Sequence, residues 1–330
     1  MTNKHRLGVA IAGCGTMGKL YAACLSRMDQ VRLAGFYARR SDRAVAAADS
    51  FGTKLFATYE ELLSDADIDV VCITLPSYLH REYAVQAAER GKHVICEKPM
   101  ALTLEDTKAM TQASRRYGTQ LLVGHVLRFA PEYRNLREHV RSGKIGKVGT
   151  GHARRASLHP PSESWFKNEE MSGGVLFDLM IHDIDFMRWT LGEVRSVYAS
   201  LATAPGIEYA NATLRFETGA IVNLEAHWGY PGPFLAEAEL AGQSGLTRFN
   251  NHTAESLTVR QTKHRGMEGE GVHIPQFLLR KSPFEAELEH FIACIREEAE
   301  PIVLAEDAGR AVEIALAAAH SARTGLPQKL

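Results

Sequence analysis

The sequence reads as an α/β chain in two parts: a doubly wound parallel sheet over residues 1–124, and an α+β domain with a large, mainly antiparallel sheet over 125–330. Three observations predict this division. Up to residue 124, short apolar runs alternate with helix-like segments, the grammar of parallel strands joined by crossover helices. Beyond it, longer runs alternate polar and apolar residues and are joined by turn residues such as Glu217-Thr218-Gly219 and Gly242-Gln243-Ser244-Gly245, the pattern of antiparallel hairpins. The length of 330 residues, 45% hydrophobic and 23% charged, suits two ordinary soluble cores.

The first element is an apolar strand at 7–12, followed by Gly13-Cys14-Gly15-Thr16-Met17-Gly18 and a helix at 19–27. Strand, G-x-G-x-x-G, helix is the dinucleotide-binding arrangement of a Rossmann domain. The glycines allow a tight turn and a close backbone approach to pyrophosphate, which the helix N-terminus attracts. Gly13, Gly15, Thr16, Met17 and Gly18 are therefore candidate cofactor residues.

The next strand, 31–36, leads to the position about twenty residues past the motif, where an NAD site places an acid on the ribose hydroxyls. This chain has Ala38-Arg39-Arg40 there. Guanidinium groups in place of a carboxylate suit a 2′-phosphate, so Ala38, Arg39 and Arg40 point to NADP(H), with NAD(H) as the alternative.

A helix at 41–51 ends at Gly52, and Thr58-Tyr59-Glu60-Glu61 forms a capping box for a short one. A strand at 70–74 runs into Leu75-Pro76-Ser77-Tyr78-Leu79-His80, a loop at the carboxyl end of the sheet where ligands bind. Thr74, Pro76 and His80 are expected to wall the cofactor. A helix at 81–90 then leads to the strand 93–97. Lys98 stands where that strand stops, because Pro99 can neither continue a ladder nor enter a helix interior. A lysine there faces the crevice, with Glu97 beside it. A capped helix after Thr103 and a strand at 120–124 complete the sheet.

In the second part, helices are expected at 132–141 and 175–191, with strands at 147–155, 194–202, 209–216, 220–228, 236–241 and 257–261. Helices at 284–295 and 305–324 close the chain. The segment 154–174 is loop-rich and carries His159, Trp165 and Phe166, which suits a wall for a ring-shaped substrate. Just after it, Asp178 and His182 stand at i, i+4 in an otherwise apolar helix start, one turn apart on one face. A buried carboxylate needs a partner, and histidine titrates near neutrality, so the two suit acid–base chemistry. A structural Asp–His pair fits the same spacing. A metal site lacks both HExxH and a second nearby histidine, so none is expected.

The net charge of −1 and the isolated arginine pairs exclude a nucleic-acid footprint. No apolar run is long enough to span a bilayer, and 7–12 is too short for a secretory segment, so a cytoplasmic location is expected. Cys14, Cys24, Cys72, Cys96 and Cys294 form no CxxC pair and read as reduced core residues.

These motifs together resemble the Gfo/Idh/MocA oxidoreductase family over nearly the whole chain. The glycine motif carries the resemblance, with Lys92-His93-Val94-Ile95-Cys96-Glu97-Lys98-Pro99, Gly124-His125-Val126-Leu127-Arg128-Phe129, the block from Gly173-Gly174 to His182-Asp183, and Ser321-Ala322-Arg323-Thr324-Gly325. It implies an NAD(P)-dependent dehydrogenase or reductase of sugars, inositols or related polyols, assembled as a homodimer or homotetramer. By the same resemblance Lys98, Asp178 and His182 are catalytic and Glu97 borders the cofactor, while Arg128, His159 and Tyr230 match substrate-contacting regions. A catalytically silent sensor would have lost the three catalytic side chains; all are present. A dehydrogenase of a non-sugar substrate is the other alternative.

Overall fold

The computed structural model describes residues 6–39, 41–161, 164–252, 257–261 and 281–330. The chain forms two compact units, Met1–Val126 with Lys281–Gly309, and Leu127–Arg280 with Arg310–Leu330. The segment Lys281–Gly309, grouped by the sequence reading with the second domain, belongs to the first unit.

The first unit runs β1 (Leu7–Ala12), α1 (Thr16–Leu25), β2 (Val31–Tyr37), α2 (Ser41–Phe51), β3 (Lys54–Leu55), α3 (Tyr59–Ser64), β4 (Val70–Ile73), α4 (His80–Glu89), β5 (His93–Glu97), α5 (Leu104–Tyr117) and β6 (Leu121–Gly124). Its sheet is wholly parallel, in the order β3-β2-β1-β4-β5-β6. The chain order reverses between β1 and β4, the switch point where such sheets bind ligands beyond their carboxyl ends. Val9 to Ala12 and Val70 to Ile73 are fully buried, as expected of strands covered on both faces. The expected caps form: Thr58 Oγ1 accepts from Glu61 N–H at 3.0 Å and Thr103 Oγ1 from Asp106 N–H at 3.1 Å. Two differences are local. The first helix begins inside the glycine motif, and β3 is a two-residue strand too short to show a period.

The second unit contains α6 (Pro131–Arg141), β7 (Val148–Ser157), α7 (Glu169–Ser172), α8 (Ile181–Leu191), β8 (Val194–Ala204), β9 (Ile207–Phe216), β10 (Ile221–Trp228), β11 (Leu235–Gly242), β12 (Gly245–Asn250), β13 (Leu257–Gln261) and, near the C-terminus, β14 (Gln328–Lys329). The sheet order is β13-β12-β11-β7-β10-β9-β8-β14, with β7 and β10 its parallel pair and the other neighbours antiparallel. Strand alternation works as predicted: Val222, Leu224, Ala226 and Trp228 of β10 are buried, and α8 packs on β7 and β10. Two late helices, α9 (Pro283–Ile295) and α10 (Ala305–Thr324), follow the sheet; α9 lies in the first unit and packs on α1.

The helix expected at 175–191 is split. Leu176–Met180 is a π-turn that runs directly into α8. Such turns are rare and frequent at functional sites. The loop-rich stretch before it holds a 3₁₀ turn at Trp165–Lys167 and the short α7, each opened by a side-chain cap, Ser164 and Asn168.

Candidate active site

At the switch point the glycine turn is fixed by contacts that a side chain would destroy. Gly13 has φ +116°, its N–H donates to Tyr37 O at 2.8 Å, and a Cβ there would lie 2.6 Å from Thr74 O. A Cβ on Gly18 would stand 2.0 Å from Gly13 O. Thr74 Oγ1 donates to Gly13 O at 2.9 Å, so Thr74 ties the end of β4 to the turn. Gly15 differs: a Cβ there meets nothing within 4 Å, and as N-cap of α1 it leaves the first helical N–H groups without a side-chain partner. An uncapped helix start behind a bare backbone fits a dinucleotide pyrophosphate. Thr16 is exposed and Met17 half-buried beside it.

Beyond β2, Ala38 is half-buried and Arg39 exposed, with Arg39 Nη1 donating to Tyr78 Oη at 3.4 Å; Arg40 lies outside the described residues. Tyr37, Tyr59 and Tyr83 brace this corner. The rings of Tyr59 and Tyr83 stand 4.5 Å apart, and the hydroxyls of Tyr37 and Tyr83 are 3.3 Å apart.

At the end of β5, Glu97 is buried and its Oε2 accepts from the Lys98 amide at 3.2 Å. Lys98 is half-buried, its peptide to Pro99 is cis, and Pro76 is half-buried. His80, expected to wall the cofactor, is instead 1% exposed, its ring nitrogens 2.9 Å from Pro99 O and 2.9 Å from Leu75 O. It directly follows the 3₁₀ turn Ser77–Leu79 and opens α4. Burial pushes the His80 pKa down. A neutral ring can donate to one of the two carbonyls at a time.

In the second unit, Asp178 sits in the π-turn and its Oδ2 accepts from Trp228 Nε1 at 3.2 Å. Asp178 and His182 are both half-buried. Gly173 and Gly174 enter the turn with φ of +73° and +67°, and a Cβ on Gly174 would lie 2.5 Å from Glu208 Oε1. That oxygen accepts from Val175 N–H at 2.7 Å. Burial raises the Glu208 pKa, and the charges of Glu169 and Asp178 add to the rise. A cavity of about 430 Å3 opens here, lined by His159, Lys167, Glu208 and Trp228 among others. His159 and Phe166 meet Trp228 edge-on, each at 6.0 Å, and Trp165 stacks on Phe166 at 3.9 Å.

Comparison with known proteins finds a family match for each half of the chain. Residues 7–125 match the model of an oxidoreductase family with an NAD-binding Rossmann fold, and residues 133–248 match the GFO/IDH/MocA C-terminal domain. The scyllo-inositol 2-dehydrogenase (NAD(+)) of Bacillus subtilis is 30% identical, covering 99% of this chain and 97% of that protein. The chain belongs to the Gfo/Idh/MocA oxidoreductase family. The myo-inositol 2-dehydrogenase of Thermotoga maritima is 28% identical, over 97% of this chain and 96% of its own. Among solved structures, the aldose-aldose oxidoreductase of Caulobacter crescentus superposes with a TM-score of 0.87 at 26% identity, covering 99% of this chain and 100% of that one.

Within this member of the Gfo/Idh/MocA family, the residues singled out from sequence divide into two kinds. The glycine motif, Thr74, Glu97 and Lys98 gather at the carboxyl ends of β1, β4 and β5. Asp178, His159 and, through Phe166, Trp165 gather around Trp228. Tyr230 is half-buried, with the Arg154 guanidinium 5.5 Å over its ring and His227 at 6.0 Å. Arg128 is placed otherwise. It is 1% exposed, and its Nε and Nη2 bind Asp185 bidentately at 2.9 and 2.7 Å. Its charge is committed to α8, as that of Arg155 is to Asp183. Sequence reasoning missed Trp228 and Glu208. Trp228 falls on the last apolar position of the strand expected at 220–228, and Glu208 stands just before the strand expected at 209–216.

Proposed function

We propose that the chain transfers a hydride between NADP(H), or less readily NAD(H), and a ring secondary alcohol or ketone of a sugar, an inositol or a related polyol. The observation that carries the substrate class is the cavity walled by Trp228, the residue that holds Asp178, where His159, Lys167 and Glu208 offer several donors and acceptors to hydroxyls. The bare Gly15 backbone and the uncapped start of α1 would hold the pyrophosphate, and Arg39 the ribose phosphate. When bound, the nicotinamide supplies the hydride acceptor or donor.

His182 takes the hydroxyl proton, and Asp178, fixed by Trp228, orients it and stabilises its cationic form. Lys98 hydrogen-bonds the reacting oxygen. His159, Trp165 and Tyr230 serve substrate binding, and Arg128 positions α8. The same reading makes the protein a cytoplasmic homodimer or homotetramer. Its cysteines, all free and buried, suit a reducing compartment, and Tyr198, Leu201, Ile207 and Ile221 leave apolar surface exposed on β8 to β10.

The test is nicotinamide absorbance with NADP⁺ and NAD⁺ across inositols, aldoses and ketoses, run in both directions. Turnover with one class is expected, and Lys98→Met and His182→Ala should each abolish it with dinucleotide affinity nearly intact. Near-normal turnover in both variants sinks the catalytic assignment. Tight dinucleotide binding with no turnover on any panel member would favour a sensor.

A further inference from the structure

The π-turn that carries Asp178 is held from a distant part of the chain. The first backbone donors of a helical segment have no partner within it, and the usual acceptor is a side chain just before the turn. Here Ser172 Oγ takes the Gly174 N–H at 3.0 Å, but the next donor, the Val175 N–H, is taken by Glu208 Oε1 at 2.7 Å, from β9 and 33 residues away. Glycine at 174 makes that approach possible, because a Cβ there would stand 2.5 Å from the same oxygen.

Glu208 and Trp228 are directly opposite one another on the antiparallel pair β9 and β10. Residues so paired project from one face of a sheet, and both side chains line the same cavity. One rung of the sheet therefore meets the turn twice: Glu208 accepts from Val175 at its start, and Trp228 Nε1 donates to Asp178 Oδ2 at 3.2 Å within it. The rung is itself fixed. Trp228 is 1% exposed, and the tip of the β8–β9 hairpin closes on the chain leaving β10, where a Cβ on Gly229 would lie 2.1 Å from Gly206 O. A single i→i+5 turn is a rare geometry beside an α-helix, and contacts from one strand pair at two points favour it over its alternatives.

We propose that Glu208 is a positioning residue for Asp178, clamping the start of the π-turn while Trp228 holds the carboxylate, so that the turn keeps Asp178 in one orientation. The role rests on Asp178 acting with His182 in the proposed reaction.

The test compares Glu208→Ala, which removes the acceptor, with Glu208→Gln, which keeps one, in the full chain. Two readouts are taken: steady-state kinetics on the panel sugar or inositol that turns over, and amide hydrogen exchange, by mass spectrometry, of peptides spanning residues 173–180. Glu208→Ala should speed exchange in those peptides about fivefold to tenfold. It should lower kcat roughly tenfold to a hundredfold, by a larger factor than it raises KM, with dinucleotide affinity unchanged. Glu208→Gln should recover at least half of either loss on a logarithmic scale. Combining Glu208→Ala with Trp228→Phe should lower kcat by less than the product of the two single losses, because a turn freed at one point loses little more on release at the other. Unchanged exchange in Glu208→Ala overturns the proposal, and so does a fully multiplicative loss in the double variant. A loss carried by KM alone makes Glu208 a substrate contact and overturns it too, as does a Gln variant no better than the Ala one, which makes charge the cause. Should Glu208→Ala fail to fold, Glu208→Asp, one methylene shorter, carries the decision: faster exchange with a lower kcat supports the clamp, and wild-type values overturn it. Exchange needs no substrate, so wild-type protein that turns over nothing while Glu208→Ala frees the turn refutes the enzymatic reading and leaves the clamp in place. Turnover whose kcat is indifferent to Glu208→Ala does the reverse.

Discussion

Removing Arg128 should destabilise the protein much more than it impairs substrate binding. Arg128 and Asp185 are each 1% exposed, joined by bonds of 2.9 and 2.7 Å, with the guanidinium also 5.5 Å from the Trp189 ring. Arg128→Met takes away both of these donors and leaves the buried Asp185 without the guanidinium that faces it. Breaking a buried pair on one side costs about 3–5 kcal/mol. At about 2–4 °C per kcal/mol for a unit of 150–250 residues, that is about 6–20 °C in Tm. Replacing both partners, as in Arg128→Met with Asp185→Leu, removes that carboxylate as well and should recover most of the loss. Thermal unfolding of the four proteins, wild type, two singles and the double, gives the coupling directly. A single Arg128→Met variant within about 1 kcal/mol of wild type, with KM for the polyol raised, would refute the strut and return Arg128 to substrate contact.

Three further outcomes follow from the same structure. Arg39→Ala should weaken NADPH much more than NADH in fluorescence titrations; equal losses would refute the 2′-phosphate role. Trp228→Phe keeps the ring but deletes the donor to Asp178, so kcat should fall on the order of tenfold with dinucleotide affinity unchanged, and an unaltered kcat would free Asp178 from dependence on Trp228. Glu287, whose proton is held more tightly in the folded chain than in the unfolded one, contributes stability that is full below the ordinary carboxylate range and lost as pH rises toward its own raised value. Melts from pH 5 to 9 should therefore decline less steeply in Glu287→Gln than in wild type, and parallel slopes would show that Glu287 is ionised when folded.

Most of the first unit was legible because its strands are short apolar runs bounded by glycine, proline or a capping residue, and burial on both faces leaves no other reading of Val70–Ile73 or His93–Glu97. The return of α9 was not legible. Its apolar stripe states that one face is covered but not by what, and nothing between residues 262 and 280 in the sequence signals a crossing back. Glu287 suffers from the same blindness: in a helix that also carries Glu285 and Glu289 it reads as one more solvated charge, until packing against α1 shows which face it occupies.

The candidate site divides along a physical line. Lys98, Asp178 and His182 stood out because each is a polar group where local pattern demands an apolar or extended residue, and that conflict is visible within a few positions of the chain. Braces have no such mark. Trp228 lies 50 residues from Asp178 and satisfies its strand's alternation, while the i→i+5 turn that presents Asp178 has no sequence period of its own. His80 and Arg128 erred the other way, since a polar residue near a ligand crevice invites a functional role, yet both are buried with their polar atoms on protein partners. A group that must meet substrate has to keep some access to it; Lys98, Asp178 and His182 are half-buried, whereas His80 and Arg128 are sealed. That difference in access is fixed by residues distant in the chain, so the polar candidates could be picked out from sequence while the packing around each of them could not.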